Sequence, residues 1–130
     1  MSVEEPSRKR SVLVTGASGY IGAQLVRRLT AERGVEVVAF DLRPPVEAAR
    51  VAGVAYVQGD IRGPEVEAVL RQHGVDTVVH LASIVTPTPQ MTREFIHSVD
   101  VLGTENVLNA SLRAGVRQFI VTSSGAAYGY

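Results

Sequence analysis

The feature that most limits how this chain can fold is an alternation of two periods. Short β-branched runs recur at 11–15, 35–40, 54–58, 75–81 and 116–122, and helical stripes lie between them. The runs are almost continuously apolar, the pattern of strands covered on both faces. Between the first two, Ile21, Leu25 and Leu29 share one helical stripe. Later, Val66, Val69, Leu70 and His73 repeat the spacing of an amphipathic helix. A further helix is predicted over 100–114, preceded by a shorter one over 89–97. The segment 44–52 reads as a helix opened by Pro44-Pro45. Gly34, Gly74 and Gly115 each stand just after a helix and just before a strand, where a helix stops. The order β-α-β-α-β-α-β-α-β predicts one α/β domain over residues 11–130. Its sheet is parallel and doubly wound, with helices on both faces, behind a frayed tail at 1–10.

Composition narrows the partners. Thirteen basic and 13 acidic residues cancel, so the chain does not hold nucleic acid or an acidic membrane by net charge. Of its 130 residues, 45 % are hydrophobic and 20 % charged, which argues against disorder. A chain of this size buries roughly two thirds of its unfolded surface. With no cysteine there is no disulfide, thiolate metal site or cysteine nucleophile. No apolar run is long enough to span a membrane, and the polar start does not resemble a secretory signal, so a cytoplasmic protein is expected. His73, His80 and His97 lack metal-ligand spacing and are read as a helix-end, a packed strand-end and a surface residue, with no metal site.

The first run ends in Thr15-Gly16-Ala17-Ser18-Gly19-Tyr20-Ile21-Gly22, and a helical stripe begins at once. Three glycines at this spacing between strand and helix suit a pyrophosphate. Gly16 permits the tight turn, Gly19 lets backbone N–H groups approach the ligand, and Gly22 lets the helix pack closely on the sheet. The helix N-terminus adds unsatisfied N–H groups and about half a positive charge. Tyr20 and Ile21 would offer backbone N–H groups while their side chains pack. A glycine-rich structural turn is the alternative reading.

Asp41, with Leu42 and Arg43 beside it, closes the second run 19 positions beyond Gly22. That spacing suits a carboxylate accepting from the adenosine ribose hydroxyls. A carboxylate repels a 2′-phosphate, so NAD is favoured over NADP, although Arg43 offers a phosphate a partner. Asp41 could instead cap its own loop. Asp60-Ile61 follows the third run, where Asp60 could accept from an adenine amino group and Ile61 lie against the ring; a plain turn after Gly59 is the alternative.

With these residues the chain resembles the extended short-chain dehydrogenase/reductases, the NAD-dependent epimerase/dehydratase family with a Rossmann-type fold. The glycine pattern is similar to that group's version, and Asp60-Ile61 to its adenine-binding pair. His80-Leu81-Ala82-Ser83 resembles the family's His-x-Ala-Ala stretch beside the cofactor. Asp100-Val101-Leu102-Gly103-Thr104-Glu105-Asn106-Val107-Leu108 resembles its Asn-Val-x-Gly-Thr-x-Asn-Val-Leu helix. In Thr122-Ser123-Ser124-Gly125-Ala126-Ala127-Tyr128-Gly129, Ser124 aligns with the catalytic serine or threonine. The resemblance thus implies cofactor contacts at Leu81, Ala82, Ser83 and Asp100 and catalysis at Ser124. Two positions depart from it: Asp100 stands for the usual asparagine, near the nicotinamide side, and Ser83 for the second alanine.

The resemblance implies hydride transfer between a nicotinamide cofactor and a hydroxyl or ketone substrate, with nucleotide sugars among the candidates, in a full-length homodimer. A non-catalytic dinucleotide-binding module or redox sensor of the same fold is the alternative. The family's Tyr-x-x-x-Lys pair has no counterpart here, since Lys9 is the only lysine. The chain therefore reads as the N-terminal, cofactor-binding portion of such an enzyme, with an exposed edge at the fifth strand that favours association. Ser124 alone cannot supply the acid or base of a proton transfer. A steady-state assay of the 130-residue chain with a nucleotide sugar is expected to show no turnover; sustained cofactor reduction would contradict this.

Overall fold

A computed structural model of the chain describes residues 9–124. Five strands are described: β1 (Arg10–Thr15), β2 (Val35–Asp41), β3 (Ala55–Gln58), β4 (Thr77–His80) and β5 (Gln118–Val121). They form one sheet in the order β3-β2-β1-β4-β5, and every neighbouring pair is parallel. This is the doubly wound Rossmann-type arrangement. The chain leaves β1 toward β2 on one side and returns to place β4 on the other, so a crevice opens at the carboxyl ends of β1 and β4.

Alternation within β1 assigns its side chains to the two faces. Val12 and Val14 join Val37, Ala39, Ala17 and Val26 in one cluster; Leu13 joins Val38, Phe40, Val78 and Ile61 in the other. The first face is covered by α1 (Tyr20–Thr30), the second by α2 (Val66–Gln72) and α4 (Thr104–Arg113). In α2, Val66 and Leu70 are buried, with Val69 against the same cluster, as the stripe predicts. In α4, Val107 and Ala110 face inward.

Helix α1 departs from its predicted stripe. Gly22 and Val26 are the buried positions, Leu25 and Leu29 flank them, and Ile21 is 63 % exposed. Tyr20 is 86 % exposed, so neither side chain packs as expected. The cause is Gly22. A Cβ there would stand 2.2 Å from the Gly16 carbonyl oxygen, so this glycine faces the turn and rotates Tyr20 and Ile21 outward. The close approach is thus to the Gly16–Ala17 backbone, rather than to the sheet.

The helix expected over 44–52 reduces to one 3₁₀ turn, Glu47–Ala49. Proline cannot donate to a helical ladder, and the backbone is extended again at Arg50, with a ψ of 141°, before a second turn can form. Val51 and Val54 nonetheless lie on the same face as α1, the Val51 N–H donates to the Tyr56 hydroxyl at 2.8 Å, and the Arg50 guanidinium lies 5.2 Å from the Tyr56 ring centre. The two helices expected over 89–114 form a run without a break. Here α3 (Arg93–His97) leads into a π-helical turn, Ser98–Gly103, and then α4. Wide turns of this kind are often found at functional sites.

Strand β5 is thinly covered: Phe119 reaches the core beneath α4, while Ile120 and Val121 are 43 % and 50 % exposed. Among the described residues β5 is a sheet edge. No described helix is long and apolar enough to cross a membrane. Replacing Gly22 by alanine forces helix and turn apart and is expected to cost about 2–4 kcal/mol. Urea denaturation measures this, and an unchanged midpoint would contradict the packing.

Candidate functional site

Gly16 makes the turn out of β1 with a φ of +67°, a conformation side chains disfavour. A Cβ there would also lie 2.8 Å from the backbone nitrogen of Ala82, so the turn after β1 and the segment after β4 touch backbone to backbone. Gly19 has an ordinary φ of −73°, and a Cβ there would meet only the Gly16 carbonyl oxygen, at 3.3 Å. The chain's own packing makes a much weaker demand for glycine here than at Gly16 or Gly22. Helix α1 starts without a side-chain cap and with no acidic residue in its first turn. The first N–H groups of a helix have no partner inside it, so this end favours an anion. The Ser18 hydroxyl beside it is the one buried side-chain polar atom among the described residues without a hydrogen-bond partner. Sequence reasoning did not single out Ser18. Its position inside the glycine turn was the available signal.

Asp41 at the end of β2 faces this turn. One carboxylate oxygen accepts from the Ser18 N–H at 3.0 Å, the other from the Arg43 N–H at 2.9 Å. The loop-capping reading is therefore realised. Each carboxylate oxygen has two lone pairs, so this capping leaves acceptor capacity for hydroxyl groups.

A cleft of about 330 Å³ lies at the carboxyl ends of the strands. It brings together Gly16, Asp41, Leu42, Arg43, Asp60, Ile61, Ala82 and Ser83, all singled out from sequence. Sequence reasoning did not identify its far wall, Met91, Phe95 and Val99. That wall becomes legible only once α3 is known to pass over the segment after β4. Ile61 is 7 % exposed and belongs to the core, where its Cδ1 atom occupies the space a Cβ on Gly103 would need. Little of that side chain remains to meet a ligand.

The other predicted residues line the cleft less directly. Gly19, Tyr20, Ile21 and Gly22 form the start of α1, at the Gly16 side. The Leu81 side chain packs with the α1 cluster. Asp100 sits in the π-helical turn and accepts from the Ile84 N–H at 2.8 Å, tying down the loop after β4. Ser124 lies past the end of β5 and is exposed. The segment 125–130, with Tyr128 and Tyr130, lies outside the described residues. A larger depression of about 740 Å³ lies at the opposite, amino ends of the strands, lined by Lys9, Arg10, Asp76, Thr77, Arg117 and Gln118. Open α/β sheets bind ligands at the carboxyl ends, and only the smaller cleft carries the glycine turn.

The strands at the crevice are tied by a buried relay. Thr15 Oγ1 accepts from the N–H groups of Leu81 and Ala82, at 3.0 and 3.1 Å, and lies 2.7 Å from His80 Nδ1. Both its lone pairs are used, so its proton points to Nδ1. The His80 proton therefore sits on Nε2 and faces Thr104 Oγ1 at 2.9 Å; the Thr104 hydroxyl donates to the Asp100 carbonyl at 2.7 Å. Burial pushes the His80 pKa down to about 4, against the weaker opposing pull of the Asp100 charge. His80 is thus a neutral structural link, and it is packed at the end of its strand as the sequence reading expects.

Strand order, glycine turn, open helix end and the Asp41 carboxylate beside it are the features of a dinucleotide-binding α/β domain. The profile of the NAD dependent epimerase/dehydratase family matches residues 12–130. The chain belongs to that family. It is 38 % identical over 120 residues to short-chain dehydrogenase/reductase family 42E member 1 of Homo sapiens, a match covering 91 % of this chain and 30 % of that protein. It is 39 % identical over 120 residues to a 3 beta-hydroxysteroid dehydrogenase/Delta 5-->4-isomerase of Mycobacterium tuberculosis, covering 88 % and 32 %. The structure superposes with a TM-score of 0.76 on a UDP-glucose 4-epimerase of Stenotrophomonas maltophila with bound NAD and formylated UDP-arabinopyranose. That match has 29 % identity and covers 92 % of this chain and 38 % of the epimerase. The chain thus spans about a third of the length of these relatives.

The relay has a pH signature. With a pKa near 6.5 unfolded and about 4 folded, His80 binds more protons in the unfolded state between those values. Stability is expected to fall by up to about 3 kcal/mol as pH drops from 6.5 to 4. Urea denaturation across this range tests it. A flat profile, or the same fall in His80→Gln, would contradict the assignment.

Proposed function

We propose that this chain binds NAD across the carboxyl ends of β1, β2 and β4, as the cofactor-binding part of an enzyme that moves hydride between nicotinamide and a hydroxyl or ketone substrate. The observation that carries the reading is the turn at 16–22, where an uncapped helix end and the unpartnered Ser18 hydroxyl stand beside Asp41. In this reading the backbone N–H groups of Tyr20, Ile21 and Gly22 hold the pyrophosphate. The Asp41 carboxylate accepts from the adenosine ribose hydroxyls, with Leu42 and Arg43 at the rim. Asp60 accepts from the adenine amino group, while Ala82 and Ser83 line the path toward the nicotinamide. When bound, the nicotinamide supplies the hydride acceptor or donor.

Ser124 is the residue of this chain proposed for catalysis, donating a hydrogen bond to the substrate oxygen. Its support is placement: β5 runs parallel to β4, so Ser124 follows the carboxyl end of a strand at the same edge as the cleft. The relatives are named for a 3β-hydroxysteroid and for UDP-glucose. Both substrates carry a secondary hydroxyl that this chemistry can oxidise, and a nucleotide sugar remains the substrate class proposed here.

Calorimetric titration of the intact protein tests the cofactor reading. NAD is expected to bind at least about 10-fold more tightly than NADP, because a 2′-phosphate beside Asp41 meets a like charge. Asp41→Asn should weaken NAD and narrow that gap. Equal affinity for both cofactors in the wild-type protein would contradict the assignment of Asp41.

A further inference from the structure

Arg62 belongs to no motif singled out in the sequence, yet it joins the two walls of the cleft. Its guanidinium grips Asp60 in a fork: Nε lies 3.0 Å from Oδ1 and Nη2 lies 2.7 Å from Oδ2. Nε also approaches Oδ2 at 3.2 Å, and the Arg62 backbone N–H donates to Oδ1 at 2.9 Å. On its other side, Nη1 donates to the Ser98 hydroxyl at 3.0 Å, whose own proton goes to the Phe95 carbonyl at 2.6 Å. The guanidinium carbon lies 5.3 Å from the centre of the Phe95 ring. One side chain is therefore held at three places, by the loop after β3, by α3 and by the π-helical turn.

The consequence for Asp60 is geometric. Oδ1 has both acceptor positions filled, by the Arg62 N–H and Nε. Oδ2 takes Nη2 directly and shares Nε at longer range, so the free acceptor direction is on Oδ2. A planar fork fixes the carboxylate plane, which a lysine ammonium cannot do. Ser98 and Phe95 prevent the fork from swinging away.

We propose that Arg62 is a positioning residue for adenine recognition: it locks the Asp60 carboxylate so that Oδ2 presents its open lone pair to the exocyclic amino group of the cofactor's adenine. This rests on the dinucleotide reading above and adds to it the residue that orients the adenine contact. Specificity for adenine then depends on a side chain that acts through Asp60, and the fork couples the adenine end of the cleft to α3.

Nicotinamide hypoxanthine dinucleotide separates this role from a general structural one. It carries a carbonyl oxygen where adenine has the amino group, so the 6-position of its base repels the Asp60 carboxylate instead of donating to it. Binding of both dinucleotides is measured by calorimetry on intact wild-type, Arg62→Lys and Asp60→Asn proteins, with thermal melting to check folding. The wild-type protein is expected to prefer NAD by about 10-fold, the worth of a charge-assisted hydrogen bond. Arg62→Lys should lose most of that preference, through weaker NAD binding and hypoxanthine-dinucleotide binding within about 2-fold of wild type, matching Asp60→Asn in direction. Loss of both affinities in equal proportion, or an unchanged preference, would overturn the positioning role while leaving NAD binding intact. Failure of the wild-type protein to bind NAD would overturn the dinucleotide reading and this inference with it.

Discussion

A neutral histidine holds the crevice together. Thr15 ends β1 and His80 ends β4, the two strands between which the winding of the sheet reverses. Parallel strands diverge at their ends, and here the divergence is stopped by one buried relay from the Leu81 and Ala82 N–H groups through Thr15 and His80 to Thr104. The hydroxyl and imidazole protons in it each have one place to go. The Gly16 turn is pressed against Ala82 by the same alignment, since neither backbone could approach so closely if β4 were shifted. The relay also reaches the Asp100 carbonyl, so the π-helical turn is referenced to the strands as well.

From that fixed point the cleft is assembled by backbone contacts more than by side chains. Gly22 sets α1 on the turn, and Gly103 lets the π-helical turn lie against Ile61. Asn106 on α4 donates to the Ile61 and Gly63 carbonyls at 2.7 and 2.9 Å, holding the loop that carries Asp60. Carboxylates then occupy the rim: Asp41 caps the glycine turn, Asp60 is held by Arg62, and Asp100 pins the loop after β4. The Arg62 hydrogen bonds keep Asp60 ionised to lower pH than a free aspartate, so it remains an acceptor. Asp100 is used here as a backbone cap for the loop after β4. This gives the carboxylate a structural role that does not depend on a ligand.

The alternation of strands and helices and the glycine turn were legible in the sequence because both are local. Strands declare themselves by apolar runs, and the turn by three glycines whose conformations or contacts exclude side chains at Gly16 and Gly22. The phase of α1 was not legible. Ile21, Leu25 and Leu29 obey helical spacing, but the buried stripe follows Gly22 and Val26, because a missing side chain can be a stronger packing determinant than a present one. The segment 44–52 failed as a helix because the prolines opening it donate no backbone hydrogen bond and the chain turns extended again at Arg50. The role of Arg62 was hidden for a different reason: its partners Ser98 and Phe95 lie more than thirty positions away and converge only through the tertiary fold. Ser124 is tied to catalysis by resemblance, whereas the cofactor cleft is supported by geometry.

A crystal structure of the intact protein grown with NAD tests the central claim most directly. The account predicts the pyrophosphate at the start of α1, the adenosine ribose hydroxyls on Asp41, and the adenine amino group at Asp60 Oδ2 with the Arg62 fork unbroken. NAD bound away from the glycine turn, or an adenine whose amino group points away from Asp60, would contradict it.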